Sequence, residues 1–135
     1  MTIDYLAILL GATGGMAVGA AWFAPALLGR RWAALVGVDL ALKTPPGVYL
    51  LAGIATLVTS AVLAVGTDAA VQAFGGSRPG VALTVALVLW LGFTAGRTAV
   101  EYLFEKRPVA LYAIDMGHQL AVVVVMAVII GLLGH

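Results

Sequence analysis

From Val81 to Phe104 the chain reads VALTVALVLWLGFTAGRTAVEYLF, and after Glu105-Lys106-Arg107-Pro108 it resumes from Val109 to Leu133 as VALYAIDMGHQLAVVVVMAVIIGLL. Each run is long enough to cross a bilayer as a helix, which takes roughly 20 apolar residues. A connection this short forces the two helices into an antiparallel hairpin. Both runs nevertheless carry ionisable residues: Arg97 and Glu101 in the first, Asp115 and His118 in the second. A charge at the bilayer centre costs about 2.5 to 3.5 kcal/mol on insertion scales, so such residues face a partner, a bundle interior or a water-filled cavity.

Two further apolar runs, Tyr5–Leu28 and Val48–Val65, complete the pattern. The expectation is one all-α domain over residues 1–135, a bundle of four transmembrane helices at about 5–28, 48–65, 81–104 and 109–133. A polar connection from Gly29 to Gly47, broken by Pro45-Pro46, joins the first pair, and a Gly/Ser/Pro-rich loop from Gly66 to Gly80 joins the second to the third. Composition agrees: 63% of residues are hydrophobic, 10% are charged and mean hydropathy is +1.12. The lipid bilayer is the expected surrounding. A net charge of +1 and the lack of a basic, aromatic-interleaved stripe exclude nucleic acid as a partner. With no cysteine the chain has no disulfide, thiolate or iron–sulfur chemistry. The segment before the first run carries Asp4 and no Lys or Arg, the wrong flank for a cleaved signal, so a retained helix is expected.

Counted from the middle of the hairpin turn at about 1.5 Å per residue, Glu101 lies ~8 Å deep, Asp115 ~13 Å, Arg97 ~14 Å and His118 ~17 Å. On a regular helical wheel Trp90, Thr94, Arg97, Thr98 and Glu101 share one face, and Tyr112, Asp115, His118 and Gln119 share another. If those faces meet, Arg97 pairs with Glu101 along its helix and with Asp115 across the hairpin. The expected intramembrane polar cluster is therefore Arg97, Glu101, Asp115, His118 and Gln119, with Trp90 and Tyr112 lining a cavity beside it. Asp115 and His118 also present two potential metal ligands on one face, with Glu101 as a third. Such spacings are common by chance, and neither a metal nor another cofactor is expected.

Trp22-Phe23-Ala24-Pro25 closes the first run, where Pro25 removes a backbone donor and kinks or ends the helix. Such a kink sets Trp22 beside the hairpin as a further cavity-lining residue. Gly11, Gly15 and Gly19 recur every four residues along the first helix, a stripe that permits close backbone approach. They mark the expected surface for a homodimer, the alternative being close packing between helices of the same chain.

The stretch from Trp22 through Pro25 to Leu28-Gly29-Arg30-Arg31-Trp32, the later Tyr102-Leu103-Phe104-Glu105-Lys106-Arg107-Pro108 and the following Gly117-His118 resemble the bacterial family labelled domain of unknown function 1761. The likeness spans nearly the whole chain, although the family has Ser where this chain has Ala24. It implies a small four-helix protein of the bacterial cytoplasmic membrane and no particular activity. The family's strongest motif falls on the hairpin turn, where Glu105, Arg107 and Pro108 are expected to brace the chain reversal.

No serine elbow, paired-carboxylate motif or HExxH stands in the chain, so no enzyme is expected. The expected function is binding or conduction of a small ion or solute through the polar cluster. The alternative is a non-enzymatic structural or accessory protein whose cluster only holds helices together. Arg30, Arg31, Lys43, Lys106 and Arg107 lie in the first and third connections, whereas Arg78 alone lies on the opposite side. The positive-inside rule then sets both termini outside the cytoplasm. A single cysteine introduced between Gly75 and Pro79 should be labelled by an impermeant reagent in intact spheroplasts. Labelling only after lysis would contradict this orientation.

Overall fold

The computed structural model describes residues 3–135 as five helices: α1 Tyr5–Trp22, α2 Gly29–Val36, α3 Pro46–Phe74, α4 Arg78–Phe104 and α5 Val109–Leu133. All but α2 are long and apolar enough to cross a membrane, which is the four-helix arrangement expected from sequence. Neighbours in the chain pack side by side, α1 on α3, α3 on α4 and α4 on α5, and α5 returns against α1 to close the ring. The first and last described segments meet at one end, where His135 Nδ1 lies 3.2 Å from the Asp4 carboxylate.

Helix boundaries follow from local chemistry and correct the expected spans. At the start of α1, Asp4 accepts the Ala7 N–H at 3.0 Å. That bond, and to a lesser degree the charge of His135, holds the Asp4 carboxyl below its ordinary pKa. A carboxyl lowered in this way stabilises the fold above its unfolded pKa and loses that contribution as pH falls through the folded value. α1 ends at Trp22 rather than Leu28, because Pro25 has no N–H to continue the ladder. The Leu28 N–H instead reaches back to the Trp22 carbonyl and the Gly29 N–H to that of Ala24. Gly29 is required there, since a Cβ would fall 2.2 Å from the Phe23 carbonyl oxygen.

The short α2 turns Arg30 and Arg31 outward and buries Ala33, then stops at Gly37 in the left-handed region, φ 85°. α3 continues to Phe74, well past the expected end at Val65. Thr67 returns its hydroxyl to the Leu63 carbonyl at 2.7 Å, and Asp68 forms a part-buried ion pair with Arg78 across the turn. Arg78 Nε also donates to the Ile130 carbonyl at 3.1 Å. Thr67 and Asp68, which looked like loop, thus find partners within the helices, and the connection shrinks to three residues, Gly75–Ser77. Gly75 and Gly76 make that turn with φ of 73° and 97°.

The core is thin and made of small side chains around a few large ones. Ala82 and Ala86 of α4, Leu63 and Ala64 of α3 and Ile8 of α1 surround Val122, Met126, Ala127 and Ile130 of α5. Met126 and Ile130 are fully buried. The α1 glycine stripe lies on the inner side: a Cβ on Gly11 would meet Ser60 Oγ at 2.5 Å, and one on Gly15 would meet Met126 Cε at 2.7 Å. Ser60 Oγ meanwhile donates to the buried Ile8 carbonyl at 2.8 Å. This corrects the expected homodimer surface: Gly11 and Gly15 bring α1 against α3 and α5 of the same chain, and Gly19 faces His118. Gly15→Leu should therefore lower unfolding stability in a membrane mimetic by about 1 to 3 kcal/mol through overpacking. Gly53→Leu, whose Cβ enters open space, should be neutral or stabilising; equal effects would contradict the packing described.

Candidate functional site

The geometry of the polar residues is set by a wide turn within α4. Between Trp90 and Gly96 the helix is wound with π geometry, adding a residue to the turn. On a regular helix Glu101, eleven positions after Trp90, returns to within about 20° of it, while Tyr102 lies about 120° away. One inserted residue brings Tyr102 to within about 20° of Trp90 and moves Glu101 about 80° away on the other side. Trp90, Ala95 and Tyr102 face α5, and Arg97 and Glu101 turn to the exposed side.

Polar contacts between the hairpin helices follow from that rotation. Trp90 Nε1 donates to the Met116 carbonyl at 3.0 Å, the Tyr112 hydroxyl donates to the Ala95 carbonyl at 2.7 Å, and the Tyr102 hydroxyl donates to Asp115 Oδ2 at 2.5 Å. Ala95 lies within the wide turn, where the helical hydrogen-bond ladder is loosened and a carbonyl can take an outside donor. The Tyr102 and Tyr112 rings meet edge to face, with centroids 5.5 Å apart. Arg107 stacks over the Tyr102 ring at 5.0 Å and bonds Glu105 at 2.7 Å. The chain reverses at Lys106, φ 56°, before Pro108 leads into α5.

The sequence-predicted cluster is thus divided into three. Asp115 is bound to Tyr102, not to Arg97; Arg97 and Glu101 belong to none of the ion pairs among the described residues. His118 and Gln119 lie one turn farther along α5, on a crevice of about 840 Å³ between α1, α3 and α5. His118 is half-buried, with its ring 4.7 Å from Phe23 and 6.4 Å from Trp22 by centroids. Trp22 Nε1 is itself engaged by the Ile114 carbonyl at 3.1 Å, and Gly117 leaves room for its ring. Trp22, Trp90 and Tyr112 therefore act as struts between helices, while Phe23 lines the crevice in place of Trp22.

The opposite wall is α3, which the hairpin-centred expectation did not include. Tyr49, Thr56 and Thr59 line it, with Gly15 and Met126 beyond. Thr56 and Thr59 return their hydroxyls to the carbonyls of Ala52 and Ala55. Their threefold spacing is the one sequence signal that marked this face, and it is also ordinary for helix packing. None of the hydrogen bonds among the described residues uses the His118 imidazole, so its ring nitrogens are available to a molecule in the crevice. The described residues contain no group of three His, Cys, Asp or Glu side chains placed to hold a metal ion.

No curated protein and no solved structure matches this chain. A family model described as "Protein of unknown function (DUF1761)" matches residues 6–131. That match takes in nearly the whole chain, and the protein belongs to the DUF1761 family.

Proposed function

We propose that this protein is a non-enzymatic, multi-pass protein of the bacterial cytoplasmic membrane that binds a small amphipathic solute between α1, α3 and α5. The observation that carries the proposal is the crevice itself. Its volume of about 840 Å³ falls within the range of small-molecule sites, and apolar side chains with a few convergent polar groups are how such sites bind and orient a ligand. Here the solute's apolar body lies against Gly15, Pro25, Val122 and Met126, and its polar head meets His118 and Gln119. A bare ion is a poor fit, because replacing its hydration shell takes several converging oxygens or charges. Asp115, the nearest carboxylate along α5, is already engaged by Tyr102.

Binding accounts for the interior better than conduction does. Beyond the crevice the bundle is filled by Met126, Ala127 and Ile130, all fully buried, followed by the Asp68–Arg78 pair near the other end. Side chains packed to that degree leave no continuous polar path. With the basic connections inside, the crevice lies toward the cytoplasmic half of the membrane.

Native mass spectrometry of the protein released from lipid nanodiscs should show a discrete bound mass that detergent exchange removes, and that compound should rebind. Thr59→Trp, which fills the crevice from the exposed side of α3, should abolish rebinding without lowering the melting temperature. His118→Leu, close in size but without hydrogen-bonding atoms, should weaken rebinding about tenfold. No retained or rebinding molecule, or rebinding unchanged by Thr59→Trp, would overturn the proposal in favour of a purely structural bundle.

A further inference from the structure

The outward side of α4 carries a pair of charges that the chain itself does not use. Arg97 and Glu101 are exposed within a membrane-spanning helix and take part in no ion pair among the described residues. Around them the surface is apolar: Phe93 is 69% exposed, Val100 55% and Phe104 85%. Gly92, on the same outward half, has nothing within 4 Å of where a Cβ would stand. The other intramembrane polar side chains of the hairpin have destinations in the fold, Asp115 on Tyr102 and His118 on the crevice.

Pairing along the helix is a weak solution for these two. The favourable order at i,i+4 sets the acid on the N-terminal side, and here the base precedes it. Escape to the nearer water is also hindered. Helical side chains lean toward the helix N-terminus, which for α4 is Arg78, so Arg97 leans away from the hairpin end about 10 Å distant. A charge held in that position calls for a counter-charge on a neighbour.

We infer that the Arg97/Glu101 face of α4 binds a second copy of this chain, in a two-fold dimer whose axis runs along the membrane normal. Two copies inserted in the same orientation present identical faces, level residue for residue, so Glu101 of each lies about 6 Å along the axis from Arg97 of the other, an offset the arginine side chain spans. One base and one acid on one face are self-complementary, the condition for an isologous interface. Two reciprocal ion pairs result, with donors and acceptors matched. Gly92 lets the two α4 helices approach closely, the role that Gly11 and Gly15 fill inside each chain.

Charge reversal tests this directly. In nanodiscs or liposomes the wild-type protein should be a dimer by single-molecule photobleaching. Arg97→Glu alone and Glu101→Arg alone should each raise the dimer dissociation constant at least tenfold. The two variants co-expressed with different tags should form heterodimers, because one face is then doubly acidic and the other doubly basic. Both residues are exposed, so melting temperatures should stay close to that of a wild-type sample diluted to monomer. The chain has no cysteine, so Val100→Cys should cross-link in native membranes while Leu57→Cys on exposed α3 should not. A monomeric wild type, a dimer insensitive to either reversal, absence of heterodimers, or Val100→Cys cross-linking only to a different protein would each overturn the inference.

Discussion

The structure depends on a single hydrogen bond across the hairpin, from the Tyr102 hydroxyl to the Asp115 carboxylate. An intramembrane carboxylate needs a donor, and two registers of α4 can supply one: a regular helix that turns Glu101 and Arg97 inward, or a widened helix that turns Tyr102 inward. The wide turn at Trp90–Gly96 selects the second. It loosens the local helix ladder, and the Ala95 carbonyl then accepts the Tyr112 hydroxyl. Aromatic donors therefore join α4 to α5, and Arg97 and Glu101 are kept out of the seam.

That register also separates the molecule into a tight half and an open half. Toward the termini the helices approach closely, because Gly11, Gly15, Ser60, Ala82 and Ala86 are small and Pro79 rests against Gly131. Ser60 there is answered by the Ile8 carbonyl and Asp68 by Arg78, whose Nη2 is left buried without a partner among the described residues. Toward the basic connections α1 stops early at Trp22, the chain turns around Gly29, and α3 extends beyond the end of α1. The space left beside Phe23 and His118 is the crevice. It exists because Pro25 ends α1 while α3 and α5 continue.

The four spans and the hairpin were legible in the sequence because hydropathy and loop length act over many residues at once. The partner of Asp115 was not, since one extra residue in a single turn moves every later side chain by about 100° and leaves no mark in hydrophobic content. Tyr102, which lies off the charged face of a regular helix, became the key donor for that reason. The extension of α3 to Phe74 was obscured by Gly66, Thr67 and Asp68, which resemble a loop until the ion pair with Arg78 is known. The glycine stripe on α1 was visible, but spacing alone does not distinguish a surface that packs inside the chain from one that packs outside it. Only the positions of Ser60 and Met126 decide that.

The most direct test is a pair of double-mutant cycles on unfolding free energy in one membrane mimetic, Tyr102→Phe with Asp115→Asn and Arg97→Gln with Asp115→Asn. A hydrogen bond to a charged group within a bundle predicts a coupling of about 1 to 2 kcal/mol between Tyr102 and Asp115. For Arg97 and Asp115 the losses should add. Strong coupling of Asp115 to Arg97 together with additivity toward Tyr102 would show that α4 presents its charged face to α5, and would contradict the account.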